Sequence, residues 1–193
     1  MKYRLIASIM TAGLGLSLFA SSANAAISVL GTGLAQDCYQ AAEFGGNPRD
    51  GVAVCTNALD ETALTLRDRA ATMVNRGILR SRDGDFKGAL DDYNQGLSVD
   101  ATLGEGYVDR GAAEIVRHDY EAALADINKG ISLNANRLEI AYYDRAIVDE
   151  ALGNVRDAYF DYKKATELSP DFALANEQLT RFKVVRKASA NGT

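Results

Sequence analysis

This 193-residue chain has a single histidine, two cysteines and fewer basic than acidic residues, and each shortage excludes a class of chemistry. His118 stands alone, with no cysteine or carboxylate cluster at ligand spacing, so no metal site is expected. The chain has no Gly-rich phosphate loop, G-x-S-x-G elbow or H-E-x-x-H run. The adjacent acids Asp91 and Asp92, as helix neighbours, point in different directions instead of sharing a substrate. Neither catalytic residues nor a cofactor are therefore expected. A net charge of −5 argues against nucleic acid, whose phosphates need a basic surface. No second long apolar stretch follows the first twenty residues, so the protein is expected to be soluble once that stretch is removed.

The amino terminus has the make-up of an export leader. Lys2 and Arg4 precede an apolar run from Leu5 to Ala20, and Ala23-Asn24-Ala25 offers a small-residue cleavage site. The competing reading is an uncleaved anchor, but the run is interrupted by Ser, Thr and Gly and is shorter than the roughly 20 apolar residues a spanning helix needs. Residues 1–25 are expected to be removed, leaving the mature protein in the periplasm or, as the alternative, secreted. The leader carries two of the 21 basic residues and none of the 26 acidic ones, so the mature chain has 19 against 26, net −7.

In an oxidising compartment Cys38 and Cys55 are more readily a disulfide than a metal site. Between them lies Gly45-Gly46-Asn47-Pro48, in which Asn47 suits a helix N-cap and Pro48 the first helical position. One helix should end near Phe44 and another begin at Pro48. Cys38 lies eight residues before Gly46 and Cys55 eight after Asn47, so an antiparallel pair brings the sulfurs to the same height. The rival reading, a redox-active pair, lacks a close C-x-x-C spacing.

After a connector rich in charge and Thr over residues 60–69, a pattern of small residues recurs three times: Gly77, Ala89 and Gly96, then Gly111, Ala123 and Gly130, then Ala146, Ala158 and Ala165. Ala89 and Ala123 are 34 residues apart and Ala123 and Ala158 are 35 apart, the extra residue falling between copies. Each copy has a turn triplet, Gly84-Asp85-Phe86, His118-Asp119-Tyr120 or Gly153-Asn154-Val155, and Leu97, Ile131 or Leu168 follows. Pro170 closes the third copy.

These landmarks resemble the tetratricopeptide repeat family over residues 70–172. The resemblance implies an all-α fold, an α-solenoid of antiparallel helix hairpins, with copies at about 70–103, 104–138 and 139–172. It makes helix A and helix B of each copy meet through the small residues, with Met73, Tyr107, Tyr142, Tyr93, Ile127 and Tyr162 filling the gaps. Carried backwards, the same frame makes residues 26–66 a degenerate hairpin stapled by the cysteines, although Tyr39 stands where a small residue is expected. Residues 173–193 should form a capping helix on Ala175, Leu179 and Phe182, followed by a frayed tail.

Arg76, Arg110 and Arg145 recur where the family usually has an aliphatic residue, and Asp92, Asp126 and Asp161 recur in step on helix B. A partly buried guanidinium needs a carboxylate partner, so these are expected to form a ladder of structural ion pairs and not an anion site.

What the resemblance implies for function is binding in a concave groove lined by helix A. Helical spacing expects an apolar stripe of Val74, Ile78, Val108, Ala112, Ile115, Tyr143 and Ile147, flanked by Asn75, Glu105, Asp109, Asp144 and Glu150. Asp109 and Asp144 stand where family members that grip a terminal carboxylate need polar or cationic groups. The expected partner is therefore a protein or peptide segment with basic and apolar residues. Residues 26–35 are apolar enough to cover the groove instead. The function expected is a non-enzymatic interaction module or adaptor of the cell envelope. The rival is a structural subunit that assembles an envelope complex through its convex face or ends, and oligomeric state is open.

Overall fold

The computed structural model describes residues 3–7, 25–29, 33–61 and 63–186. Most of the expected leader and the tail after residue 186 lie outside the described residues. In chain order the elements are β1 (Tyr3–Ala7), α1 (Leu34–Phe44), α2 (Pro48–Glu61), α3 (Leu66–Arg82), α4 (Phe86–Val99), α5 (Gly104–Val116), α6 (Tyr120–Ser132), α7 (Leu138–Ala151), α8 (Val155–Leu168), α9 (Ala173–Leu179) and β2 (Phe182–Arg186). The helices pack as sequential hairpins, α1 on α2, α3 on α4, α5 on α6 and α7 on α8, and each hairpin stacks on the next.

Close packing within a hairpin depends on the small-residue landmarks. A methyl group built at Gly130 of α6 would lie 2.8 Å from the Gly104 carbonyl oxygen and 2.5 Å from Val108 Cγ2 of α5, so no side chain fits between these helices. Ala89, Ala123, Ala146, Ala158 and Ala165 are all fully buried. Tyr93, Ile127 and Tyr162 fill the space between them, as the family resemblance expects.

The three turns inside the repeats close in the same way. Asp85 N–H donates to Arg80 C=O, Asp119 N–H to Glu114 C=O and Asn154 N–H to Asp149 C=O, at 2.9, 3.0 and 2.7 Å. The preceding residue in each turn is left-handed and also donates back into its helix, a closure that satisfies the last carbonyls. Two of these positions are Gly84 and Gly153, but the third is His118, at φ 61°. Left-handed backbone costs a non-glycine residue roughly 1 kcal/mol or more. His118→Gly is therefore expected to raise stability by about 0.5 kcal/mol, after loss of the contact between its Nδ1 and Tyr120 Oη, and thermal melts would read it.

The extra residue between the second and third copies also has a structural cause. The chain leaves α4 and α8 in extended form at Asp100 and Ser169, whereas α6 ends in one more left-handed turn at Asn134. Helix α3 begins at Leu66, earlier than the connector was expected to end. Thr65 caps it, with Oγ1 accepting from Asp68 N–H at 3.1 Å.

Cys38 and Cys55 are joined, with their Cα atoms 4.7 Å apart, and both are fully buried. Their helices end and begin at Phe44 and Pro48, as the turn residues imply. Closing a loop of this size contributes about 3 kcal/mol in the chain-entropy model. Cys38→Ala combined with Cys55→Ala should lower the melting temperature, and thiol titration of denatured, unreduced wild type should find no free thiol.

The carboxyl end departs from expectation. Helix α9 stops at Leu179, and Phe182 opens β2, which pairs antiparallel with β1 from Tyr3↔Arg186 to Ala7↔Phe182. Phe182 therefore caps the stack from a strand, its ring 5.7 Å from Tyr159 and 6.0 Å from Tyr162. β1 lies within the segment expected to be removed on export.

The ion-pair ladder forms in all three repeats. Arg76 grips Asp92 at 2.9 and 2.7 Å, Arg110 grips Asp126 at 2.5 and 2.8 Å, and Arg145 grips Asp161 at 2.6 and 2.8 Å, each through two nitrogens. The remaining nitrogen of each guanidinium reaches the preceding hairpin, at Thr56 Oγ1, Asn94 Oδ1 and Asn128 Oδ1. Each arginine thus ties its own helix A and helix B to the helix B before it. Arg110 and Arg145 also lie over the rings of Tyr107 and Tyr142.

Candidate functional site

The inward faces of α3, α5 and α7 present Asn75, Asp109 and Asp144 at equivalent positions, with Ile78, Ala112 and Ile147 one turn on. Residues 25–29 lie against this surface. Ala25, Ile27 and Val29 are buried while Ser28 is exposed, the period of two that an extended segment produces. Ile27 and Val29 join the hydrophobic core that contains Ile78, Leu79 and Val74.

Asn75 fixes the segment's register. Its side-chain oxygen accepts from Ile27 N–H and its amide nitrogen donates to Ile27 C=O, both at 2.8 Å. One side chain thereby satisfies both backbone groups of a residue, as a neighbouring strand would. Such a clamp recognises extended backbone and not a particular side chain.

Asp109 lies next along the surface, 3% exposed, and its Oδ2 has no hydrogen-bond partner among the described residues. Burial pushes its carboxyl well above the usual range. The Ala25 backbone N–H works against that shift, Asp144 and Glu105 add to it, and Arg82 opposes it. Asp144, 9% exposed, is pushed up to about 7 by burial. Glu105 is half-buried and accepts from Asn136 N–H at 3.0 Å.

The expected stripe is partly displaced. Val74 and Val108 turn toward helix B, where they meet Gly96 and Gly130, and both are buried inside the repeats. One residue along a helix rotates a side chain by about 100°, so the adjacent Asn75 and Asp109 face the groove instead. Tyr143 corresponds to Val74 and Val108 and is likewise engaged internally, its ring 5.6 Å from Tyr162 and 5.2 Å from Phe172. Ile115 is buried as well. Glu150 accepts from Tyr162 Oη at 3.0 Å and pairs with Arg181 at 2.9 Å, so it belongs to the carboxyl-terminal cap. Arg82, which bears on Asp109 and donates to Ala42 C=O at 2.6 Å, was not among the expected groove residues. Its spacing of seven from Asn75 was the available signal.

In sequence the chain matches no family model and no curated relative. In fold it is similar to solved tetratricopeptide-repeat (TPR) structures. The first TPR of Spaghetti (RPAP3), bound to HSP90 peptide SRMEEVD, aligns at 25% identity and TM-score 0.55, covering 58% of this chain and 90% of that one. The crystal structure of MamA aligns at 19% identity and TM-score 0.61, covering 78% and 82% respectively. The Arabidopsis OM64 TPR domain aligns at 20% identity and TM-score 0.58, covering 61% and 96%. The fold is an all-α, TPR-like helical repeat domain.

Proposed function

We propose that this chain is a non-enzymatic, exported interaction module whose concave face binds an extended segment of another protein. The observation that carries this reading is the clamp of Asn75 on both backbone groups of Ile27. It is a way of holding extended chain that any segment of suitable side chains can use. The bound peptides of similar structures support it, since RPAP3 domains hold the HSP90 peptide SRMEEVD and the HSP70 peptide SGPTIEEVD. Those peptides end in Glu-Glu-Val-Asp, whereas Asp109, Asp144 and Glu105 line the face here. A partner with basic and apolar residues complements them. The surface that takes it comprises Asn75, Ile78, Asp109, Ala112, Asp144 and Ile147, with Glu105 at the rim. The leader-like sequence of residues 1–25 supports export, with the periplasm as destination. Among the described residues no helix is long and apolar enough to cross a membrane.

The test is site-specific crosslinking from position 112, which is partly exposed on this face, in the native compartment, followed by purification of the crosslinked partner and binding measurements. In protein lacking residues 26–32, where no segment of the chain competes for the clamp, Asn75→Ala should weaken that partner by roughly tenfold, the loss of two backbone hydrogen bonds, with helicity retained. Unchanged affinity would turn attention to the convex face and to assembly as a structural subunit.

A further inference from the structure

We propose that Asp109, with Asp144 and Glu105 beside it, forms a receptor for the chain's own amino terminus, so that removal of residues 1–25 locks the new terminus into the groove. The proposal rests on the export reading above. Its observations are separate from that reading. Asp109 is a buried carboxylate with one oxygen unpartnered among the described residues, and the group directed at it is the backbone N–H of Ala25.

Ala25 is the last residue of the expected leader, and cleavage makes Ala26 nitrogen an α-ammonium. That atom lies one residue, about 3.5 Å, along the chain from the N–H now facing Asp109. Ala25 is itself buried, so its removal vacates space next to the carboxylate. An ammonium carries three donors and can turn into that space, whereas a single amide N–H has a fixed direction. Before cleavage burial, with Asp144 and Glu105 beside it, raises the Asp109 carboxyl above its ordinary range, and the Ala25 N–H and Arg82 oppose that rise. After cleavage the positive terminus meets the free oxygen in a low-dielectric setting, where a charge-assisted hydrogen bond is strong. Asn75 already holds Ile27 one residue further on, so the terminus is delivered in register. Processing would then seat residues 26–29 more firmly than the precursor does.

The experiment compares protein beginning at Ala26 with the same protein acetylated on its terminal nitrogen. Acetylation removes the charge and alters no side chain. Hydrogen exchange at the Ile27 amide should be roughly tenfold slower with the free amine, the effect of one buried charge-assisted contact. The α-amino pKa should lie above its usual value of about 7.7–8.0, because a carboxylate partner favours the charged form. In Asp109→Asn the difference between free and acetylated protein should vanish. Equal exchange of free and acetylated wild-type protein, with an ordinary α-amino pKa, would overturn amine capture. The intact mass of protein from the native compartment tests the export reading separately, and a terminus other than Ala26 would overturn the link to processing.

Discussion

Asp92→Leu should melt about 10 °C below wild type, further than Asp126→Leu or Asp161→Leu. Asp92 is 0% exposed and serves two guanidiniums, Arg76 through paired bonds of 2.9 and 2.7 Å and Arg80 at 3.0 Å. Its removal leaves Arg76, whose side chain is only 14% exposed, with Thr56 as its remaining partner. Breaking a buried pair from one side costs about 4 kcal/mol, because the other charge stays desolvated. At about 2–4 °C per kcal/mol for a chain of this size, that corresponds to about 10 °C. Asp126 and Asp161 each hold one arginine, and Arg110 and Arg145 are more exposed and rest on tyrosine rings, so water and stacking compensate more of the loss. Arg76→Met added to Asp92→Leu should recover much of the stability, since an apolar pair of similar volume replaces a buried ion pair at little cost. Equal losses in the three aspartate variants would overturn the special weight of Asp92, and melting at the wild-type temperature in all three would show that the ladder is worth little at every step.

This ladder was legible in the sequence because two charged series kept step with the repeat, and only a paired geometry makes a buried charge tolerable. The cysteine hairpin was legible for a similar reason, since Gly45 to Pro48 dictate a turn and equal spacing follows. Rotation of helix A was harder to read. Val74 and Asn75 both fall on the inward half of α3, and the small residues fix how closely helices approach without fixing which neighbour points into the groove. Val74, Val108 and Tyr143 were expected on the groove floor beside Asn75, Asp109 and Asp144, but Val74 and Val108 pack against Gly96 and Gly130 of their own repeats and Tyr143 against Tyr162 and Phe172, which leaves their polar neighbours at the groove. Asp109 was expected on the acidic side of a groove that residues 26–35 could cover, and it is buried where residues 25–29, more than 70 positions away in the chain, lie against the groove. Phe182 was assigned to a helix on spacing alone. Its pairing partner lies at the opposite end of the sequence, and no local pattern reports that.

Deleting residues 26–32 from the mature protein should have two opposite effects, lower stability and higher affinity for anything that binds the concave face. Ile27 and Val29 are buried in the hydrophobic cluster that also holds Ile78, and each such side chain contributes about 1.5–3 kcal/mol relative to exposure. Their loss uncovers a groove without hollowing the repeats, so melting should fall while helicity stays. For binding, the segment acts as a tethered competitor. Only residues 30–32 separate it from Gly33, the residue before α1, and a tether that short gives an effective concentration on the order of millimolar. A partner must displace it, so its removal should raise apparent affinity by roughly tenfold or more. A labelled synthetic peptide of residues 26–35 is the direct probe. It should bind the shortened protein, bind the intact mature protein much more weakly, and lose affinity for a shortened Asn75→Ala variant that no longer clamps the Ile27 backbone. Equal binding to the intact and shortened proteins would place the peptide elsewhere. Absence of binding to the shortened protein would mean that residues 26–29 cover the face without filling a peptide site.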